Sequence, residues 1–213
     1  MGMDTIAIVV QIAALVLAVS VHESAHGWVA LRCGDPTARD LGRISLNPMR
    51  HIDPVGSVLL PALLAVSGAP VFGWAKPVPV SLGRTRHPRS ANLWISAAGP
   101  ASNLVFAALL TAAVLVLRAQ GAFLDASPAM HAAFLFMIYS VLINVILAVF
   151  NLLPIPPLDG FGVMESLVPP SWYPFMGQVR RWGMLLLLAV IFSGALGWVL
   201  SPVQNFVKNL LVG

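Results

Sequence analysis

The sequence is poor in charge and almost without cysteine. Charged residues make up 9% of its 213 residues, whereas hydrophobic residues make up 58%, and the mean hydropathy is +0.87. Soluble domains carry about 25% charged and about 45–50% apolar residues. The lack of charge excludes an ordinary soluble enzyme and a disordered tail, and the single cysteine excludes an internal disulfide. This composition predicts an all-α polytopic membrane protein.

What the sequence has instead is long apolar runs. Runs of at least about 18 residues are typical of transmembrane helices, and four of them predict spans near residues 5–31, 91–117, 130–152 and 183–200. The length allows one membrane domain, so we expect residues 1–213 to form a single integral-membrane domain. Because no lysine or arginine precedes the first run, we expect no cleaved signal peptide.

A fifth apolar stretch, Val55–Trp74, contains two prolines and three glycines, and the charges around it indicate its placement. If it crossed the membrane, four basic residues would lie before it and four after it on opposite sides. If it re-enters, ten basic residues lie on one side, and Arg118 and Lys208 lie on the other. The positive-inside rule favours the second arrangement, with the amino terminus outside. The sequence therefore predicts a re-entrant element over 55–74.

The adjacent segment Gly73–Val80 has short strand character, and its prolines suit an edge strand or an irregular hairpin. A plain loop is the alternative. The predicted fold is thus about four transmembrane helices plus a re-entrant and β-hairpin element between helices 1 and 2. Because the basic residues lie in loops beside apolar segments, where they set topology, we expect no nucleic-acid partner.

The pattern His22-Glu23-Ser24-Ala25-His26 lies near the end of the first predicted helix. Residues i and i+4 share a helix face, so both histidines can reach one ion, and zinc binds imidazole readily. Glu23, beside the first histidine, can then act as general base on a water molecule. It is the only acidic residue in the four predicted spans, where an unpaired charge is costly. A cluster that only packs helices is the alternative.

A two-histidine site needs a third ligand, and Asp159 is the candidate. It follows a stretch, Asn151–Leu158, that holds three prolines in four positions. Proline cannot continue a helix, so the chain leaves the third helix while still apolar and can hold Asp159 near membrane depth. In the predicted topology the first and third helices end on the same, cytoplasmic side. His22, His26 and Asp159 can therefore meet.

These residues resemble the site-2 proteases, which are zinc metalloproteases that cut within the membrane. The resemblance covers most of residues 20–162 through five motifs: His22–His26, Asn47–Gly56, Gly73–Val80, Gly99–Asn103 and Asn151–Gly160. Many relatives carry a PDZ domain between the second and third helices, where this chain has only residues 118–129, so regulation through such a domain is excluded. Phe161 also stands where the family commonly has a second glycine.

The resemblance implies that one Zn²⁺ per chain is bound by three residues: His22, His26 and Asp159. It implies that Glu23 activates the zinc-bound water, that Asn151 holds the substrate or the developing oxyanion, and that the reaction is peptide hydrolysis in or near transmembrane segments. It also implies that Gly73–Val80 presents the substrate as an extended strand.

The expected partners are transmembrane protein substrates and the lipid bilayer. Because no organelle-targeting segment is present, we expect a prokaryotic cytoplasmic membrane, with the active site toward the cytoplasm.

Three other functions remain open on the sequence. A zinc carrier would need a polar path across the membrane, for which Asn103 and Asn144 are the main residues, and each could simply bridge helices. An aspartyl or serine intramembrane protease would need a second intramembrane acid or a Ser–His pair. A scaffold that binds transmembrane partners without catalysis is the third, and the presence of every ligand and the base argues against it.

Overall fold

The structure is a computed structural model that describes residues 5–67, 73–121 and 127–211. Its α-helices are α1 (Thr5–Arg32), α2 (Thr37–Asp40), α3 (Leu60–Ser67), α4 (Pro88–Ala119), α5 (Pro128–Asn151), α6 (Asp159–Leu167), α7 (Tyr173–Phe192) and α8 (Ala195–Leu211). A π-helix over Pro54–Leu59 runs into α3, and short 3₁₀ turns cover Pro48–Arg50, Leu82–Arg84 and Pro170–Trp172.

Four helical stretches are long and apolar enough to cross a membrane, which confirms the prediction of four such helices. They cover Ile6–Arg32, Pro88–Ala119, Pro128–Asn151 and Pro170–Phe192. At most 22% of the most apolar window of each is buried inside the protein, so most of this apolar surface faces outward. A chain in water could not leave so much apolar surface exposed, whereas lipid solvates it.

The prediction of one continuous helix over 183–200 is wrong. α7 begins ten residues earlier and ends at Phe192, and α8 begins at Ala195. Between them Gly194 has φ +75°, a conformation that glycine adopts without steric cost, and its N–H bonds to the carbonyl of Ile191. Serine and glycine interrupt hydropathy very little, so the apolar pattern of the sequence conceals this bend.

α7 and α8 together run from one end of the helix bundle to the other. At one end, Gly183 of α7 packs against Pro156, in the loop that follows α5. At the other end, the carbonyl of Leu211 in α8 accepts a hydrogen bond from Arg118, near the end of α4. Val207 and Leu211 are buried in an apolar cluster shared by α4, α5 and α8. The last crossing of the bundle is therefore made by two helices joined at a bend.

The predicted re-entrant stretch 55–74 is helical in its first part, and residues 68–72 lie outside the described residues. The π-helix and α3 comprise 6 and 8 residues, at most about 21 Å of helix, which is less than the roughly 30 Å hydrocarbon core. The N–H of Trp74 bonds to the carbonyl of Gly56 over 3.1 Å, which brings both ends of the stretch together. This is the arrangement expected of a re-entrant element, whose position in a membrane stays a prediction.

The predicted β-hairpin is not supported, because the described residues contain no strand and Gly73–Val80 has no regular secondary structure. Its backbone groups have other partners: Lys76 donates to the carbonyl of His51, and Val78 donates to the carboxylate of Glu23. Pro77 and Pro79 have no N–H to donate. The N–H groups of Lys76 and Val78 are therefore used in contacts other than a hairpin ladder.

The site is positioned by α1, α4 and α5, which pack closely through small side chains. Ala14 and Ala18 of α1, Ala107 of α4 and Ala148 of α5 are all at most 3% exposed. Small residues let helix backbones approach in membrane proteins. The polar side chains of the site lie between these helices.

Candidate metal centre

His22 and His26 lie one turn apart on α1, and both imidazoles point at Asp159. Their Nε2 atoms are 3.0 Å apart, and Asp159 Oδ2 lies 3.0 Å from Nε2 of His22 and 3.3 Å from Nε2 of His26. Both histidines are buried and the aspartate is half-buried. The structure thus brings together the three residues that were predicted from the sequence to be metal ligands.

The second nitrogen of each imidazole is held by an acceptor outside the cluster. His22 Nδ1 donates to Asn103 Oδ1 and His26 Nδ1 donates to the carbonyl of Ile95, each over 2.6 Å. Since Nδ1 carries the proton in both rings, both Nε2 lone pairs face Asp159. Outer partners of this kind fix the tautomer and the ring orientation of metal-binding histidines.

Asn103 is itself fixed by a buried chain of hydrogen bonds that joins three helices. Its Nδ2 donates to the carbonyl of Ala18 on α1 and to Asn144 Oδ1 on α5, over 3.1 and 2.7 Å. Asn144 Nδ2 in turn donates to the carbonyl of Ser140 over 2.7 Å. Both asparagines are fully buried. This network leaves Asn103 Oδ1 to face the imidazole as an acceptor.

Gly99 of α4 makes room for both imidazoles. A Cβ at this position would lie 2.4 Å from Nε2 of His26 and 2.6 Å from Nε2 of His22. Carbon and nitrogen cannot approach so closely, so only glycine lets α4 pack against the histidine pair. The sequence shows Gly99 within a motif, but only the packed helices show what it does.

Asp159 is placed by the loop after α5 and by the docking of α6, of which it is the first residue. A Cβ on Gly160 would lie 2.2 Å from the carbonyl oxygen of Leu152, so the loop packs directly on the start of α6. Asn92 Nδ2 donates to the carbonyl of Gly162 over 3.0 Å, and Arg89 Nε donates to that of Ser166 over 2.7 Å. α4 therefore holds both the histidines and the helix that carries Asp159.

Phe161, which departs from the family pattern, fits this geometry. It is 3% exposed, and the guanidinium carbon of Arg180 lies 5.7 Å from its ring centroid. The cation contacts the ring face, as cations commonly do. The phenyl ring is thus a packed part of the start of α6.

The donor set fits a bound metal ion. Asp159 Oδ2 is buried and has no hydrogen-bond donor. Three acceptor atoms that face one another repel unless a cation lies between them. A proton bridges only two of them, whereas a tetrahedral zinc ion contacts all three, with ligand atoms about 3.3–3.6 Å apart. All three atoms lie within 4.8 Å of one another.

Glu23 is half-buried on α1 next to His22, and its Oε2 accepts a hydrogen bond from the N–H of Val78 over 2.9 Å. This backbone contact could not be foreseen from sequence. Asn151 lies at the end of α5, where its Nδ2 donates to the carbonyl of Leu147 of the same helix over 2.9 Å. That hydrogen bond does not join it to the histidines or Asp159, so its part in substrate binding stays a prediction.

Comparison with known proteins identifies relatives over almost the whole chain. The profile described as Peptidase family M50 matches residues 120–192, which include Asp159 but not the two histidines. A Bacillus subtilis protein named "Putative zinc metalloprotease YwhC" is 37% identical over 90% of this chain and 84% of its own length. A Mycolicibacterium smegmatis protein named "Putative zinc metalloprotease Rip2" is 33% identical over 93% of this chain and 73% of its own length. A Mycobacterium tuberculosis protein with the same name is 30% identical over 92% of this chain and 71% of its own length. No solved structure matches the chain.

Proposed function

This chain belongs to peptidase family M50, the site-2 protease family, and is a multi-pass integral membrane zinc metalloprotease; from that premise we propose that it cuts transmembrane protein substrates in or near their membrane segments. The observation that carries the proposal is the convergence of three acceptor atoms on one point: Nε2 of His22, Nε2 of His26 and Oδ2 of Asp159. Only one such group occurs among the described residues, which supports one zinc ion per chain.

Each residue of the site has a task in this proposal. Zinc held there would polarise the scissile carbonyl and lower the pKa of a water molecule. Glu23, next to His22 in sequence, takes the proton from that water and passes it to the leaving amine. Asn103 and the carbonyl of Ile95 keep both imidazoles oriented. Asn151 is proposed to hold the substrate or the developing oxyanion.

The site is proposed to face the cytoplasm of a prokaryotic cell. His22 lies about 15 Å from the end of α1 at Arg32 and about 25 Å from its start at Thr5, at 1.5 Å per residue. Arg32 and Arg89 lie at this nearer end, whereas Arg118 lies at the opposite end of α4. The positive-inside rule then assigns the nearer end to the cytoplasm. The relatives named above are bacterial.

Zinc content and proteolysis of matched variants test this function. We expect near-stoichiometric zinc in the purified protein and in Glu23→Gln, and loss of zinc in Asp159→Ala but not in Asp40→Ala, whose exposed carboxylate pairs with Arg39. Each protein is co-expressed with single-pass membrane reporters whose transmembrane segments carry glycine or proline, because a helical substrate must unwind before it is cut. The unaltered protein should cut at least one reporter and Glu23→Gln none.

Two results would contradict the proposal. Full cleavage by Glu23→Gln would remove the proposed base. Zinc binding without cleavage of any reporter would favour a binding scaffold.

A further inference from the structure

Val78 lies between Pro77 and Pro79, so it supplies the only backbone N–H of these three residues. That N–H donates to Glu23 Oε2 over 2.9 Å, across 55 positions of sequence. Residues Trp74–Val78 form an irregular segment, here called the strap, that contacts α1 at Glu23 and Gly27. The single N–H of residues 77–79 thus binds the proposed base.

The strap is fastened at both of its ends. At Trp74 the N–H donates to the carbonyl of Gly56 over 3.1 Å, and the carbonyl accepts from Ser57 Oγ over 2.8 Å. At the other end the Val78 side chain is 8% exposed and packs on Gly27 of α1, where an added Cβ would lie 3.3 Å from Val78 Cγ1. The donor therefore reaches Glu23 from a fixed backbone.

Arg43 and His51 both bind the middle of the strap. The N–H of Lys76 donates to the carbonyl of His51 over 2.8 Å. Arg43 Nη2 donates to the carbonyls of Lys76 and Pro77 over 2.6 and 3.3 Å. Arg43 is only 7% exposed, and within the described residues it forms no ion pair with a carboxylate. Burying an unpaired guanidinium costs free energy, and here it fixes the two residues before the donor.

The loop that carries Arg43 and His51 is tied to α1 beside Glu23. The carbonyl of Ser45 accepts hydrogen bonds from Ser24 Oγ and from His51 Nε2, each over 2.7 Å. Ser24 is the residue after Glu23, and His51 is 2% exposed. α1, this loop and the strap are thus one connected set of hydrogen bonds centred on the base.

We infer that the backbone N–H of Val78 is a positioning group for Glu23, and that Arg43 is a positioning residue that acts through the strap. The inference rests on the proposed function, which makes Glu23 the base. The N–H holds Oε2 and leaves Oε1 to accept the proton from water. Misplacing a reacting group by 1 Å costs about a hundredfold in rate, so loss of this contact should lower kcat rather than zinc content or KM.

Two substitutions at one position separate the donor from the side chain. Val78→Pro removes the N–H and keeps a similar apolar volume, whereas Val78→Ala keeps the N–H and removes most of the packing on Gly27. We expect Val78→Pro to lower kcat on a cleaved reporter by about ten- to a hundredfold relative to Val78→Ala, with zinc content and KM unchanged. Equal kcat values would overturn the inference.

A second pair of variants does not alter the strap itself. Arg43→Gln removes the charge that holds Lys76 and Pro77, and Arg43→Lys keeps a cationic donor and should restore part of the loss. Arg39→Gln is the matched control, because Arg39 is exposed and pairs with Asp40. If Val78→Pro does not fold, unaltered kcat in Arg43→Gln overturns the proposal and a loss rescued by Arg43→Lys supports it.

NMR of the glutamate carboxyl groups tests the contact between Val78 and Glu23 without catalysis. The chain has only two glutamates, Glu23 and Glu165, so protein labelled with ¹³C at the glutamate carboxyl gives two NMR signals, assigned with Glu165→Gln. In zinc-free protein at fixed pH we expect Val78→Pro to move the Glu23 signal and Val78→Ala to leave it. An unmoved signal overturns the inference. If the unaltered protein cuts no reporter, the proposed function fails, while this signal still decides whether the strap holds Glu23.

Discussion

Asn103 shows how much depends on one buried side chain. Its amide donates to two acceptors, the carbonyl of Ala18 and Oδ1 of Asn144, and its own Oδ1 accepts from His22. An aliphatic residue there would leave the Nδ1–H of His22 without a partner, which costs about 1–3 kcal/mol when buried. The sequence places Asn103 and Asn144 well inside predicted spans, but helix bridging and ligand orientation look alike until the partners are known.

At the same scale, Gly99 gives a direct test of the histidine pair. We expect Gly99→Ala to lower zinc affinity by about ten- to a hundredfold, because the new methyl group would meet both Nε2 atoms and rotate the rings away from Asp159. Zinc is measured by competition with a chelator. Gly177→Ala on α7 is the control, because nothing lies within 4 Å of its added Cβ. Equal affinities in the two variants would contradict the packing described for α4.

Asp35 lies outside the membrane helices, and its surroundings make the stability of the fold depend on pH in the acid range. The side chain is fully buried, and although burial raises its pKa, the N–H of Ser81 and the N–H and hydroxyl of Thr37 outweigh this and lower it. Because the unfolded chain then binds the proton more tightly, this carboxylate stabilises the fold above its unfolded pKa of about 3.9. That contribution disappears as pH falls through the lower folded pKa.

We therefore expect the thermal midpoint in detergent to fall as the pH is lowered from about 5 to about 3, and to fall less in Asp35→Asn. Asp40→Asn is the control, because its carboxylate is exposed, and it should retain the full acid dependence. Identical slopes in all three proteins would show that Asp35 does not contribute.

At the scale of elements, α4 organises the site. Gly99, Asn103 and the carbonyl of Ile95 act on the histidines, and Arg89 and Asn92 hold α6 with Asp159. Ligands from distant parts of the sequence can meet only because one helix contacts both α1 and α6. Apolar periodicity predicts that such a helix exists, but not which of its faces meets which neighbour.

Because of the bend between α7 and α8, we expect alanine substitutions at two nearby glycines to change the stability of the protein in opposite directions. Gly194→Ala should destabilise the protein by about 1–2 kcal/mol, because alanine is strained at φ +75°. Gly197→Ala should stabilise it by about 0.4–1 kcal/mol, because Gly197 lies inside α8 with nothing within 4 Å of an added Cβ. Reversible unfolding in mixed micelles measures both. Equal effects would argue for a continuous helix.

At the scale of the whole molecule, the topology can be read by cysteine labelling. Cys33→Ser leaves a chain without cysteine, into which Arg50→Cys, Gly83→Cys or Gln120→Cys is introduced at an exposed position. A membrane-impermeant maleimide should label position 120 in intact cells and positions 50 and 83 only after permeabilisation, because the positive-inside rule places both ends of the 55–74 stretch in the cytoplasm.

Labelling of positions 50 and 83 from opposite sides would mean that the stretch crosses the membrane. Labelling of position 120 only after permeabilisation would invert the predicted orientation.

The sequence alone determined the class of the molecule, because hydropathy and local spacing are properties of neighbouring residues. Apolar runs specified the long helices α1, α4 and α5, and the spacing of His22 and His26 put both on one face of α1. The prolines before Asp159 showed where α5 ends. Each of these depends on a few consecutive residues and not on the rest of the fold.

The tertiary structure decided everything that depends on contacts between distant residues. It replaced the predicted hairpin by a strap whose donors go to Glu23 and His51, and it bent the last apolar run at Gly194. It also made Asn103 the hydrogen-bond acceptor of His22. The physical reason is that hydrogen-bond partners and steric gaps belong to pairs of residues up to 93 positions apart, and no local pattern records which pairs the packed helices bring together.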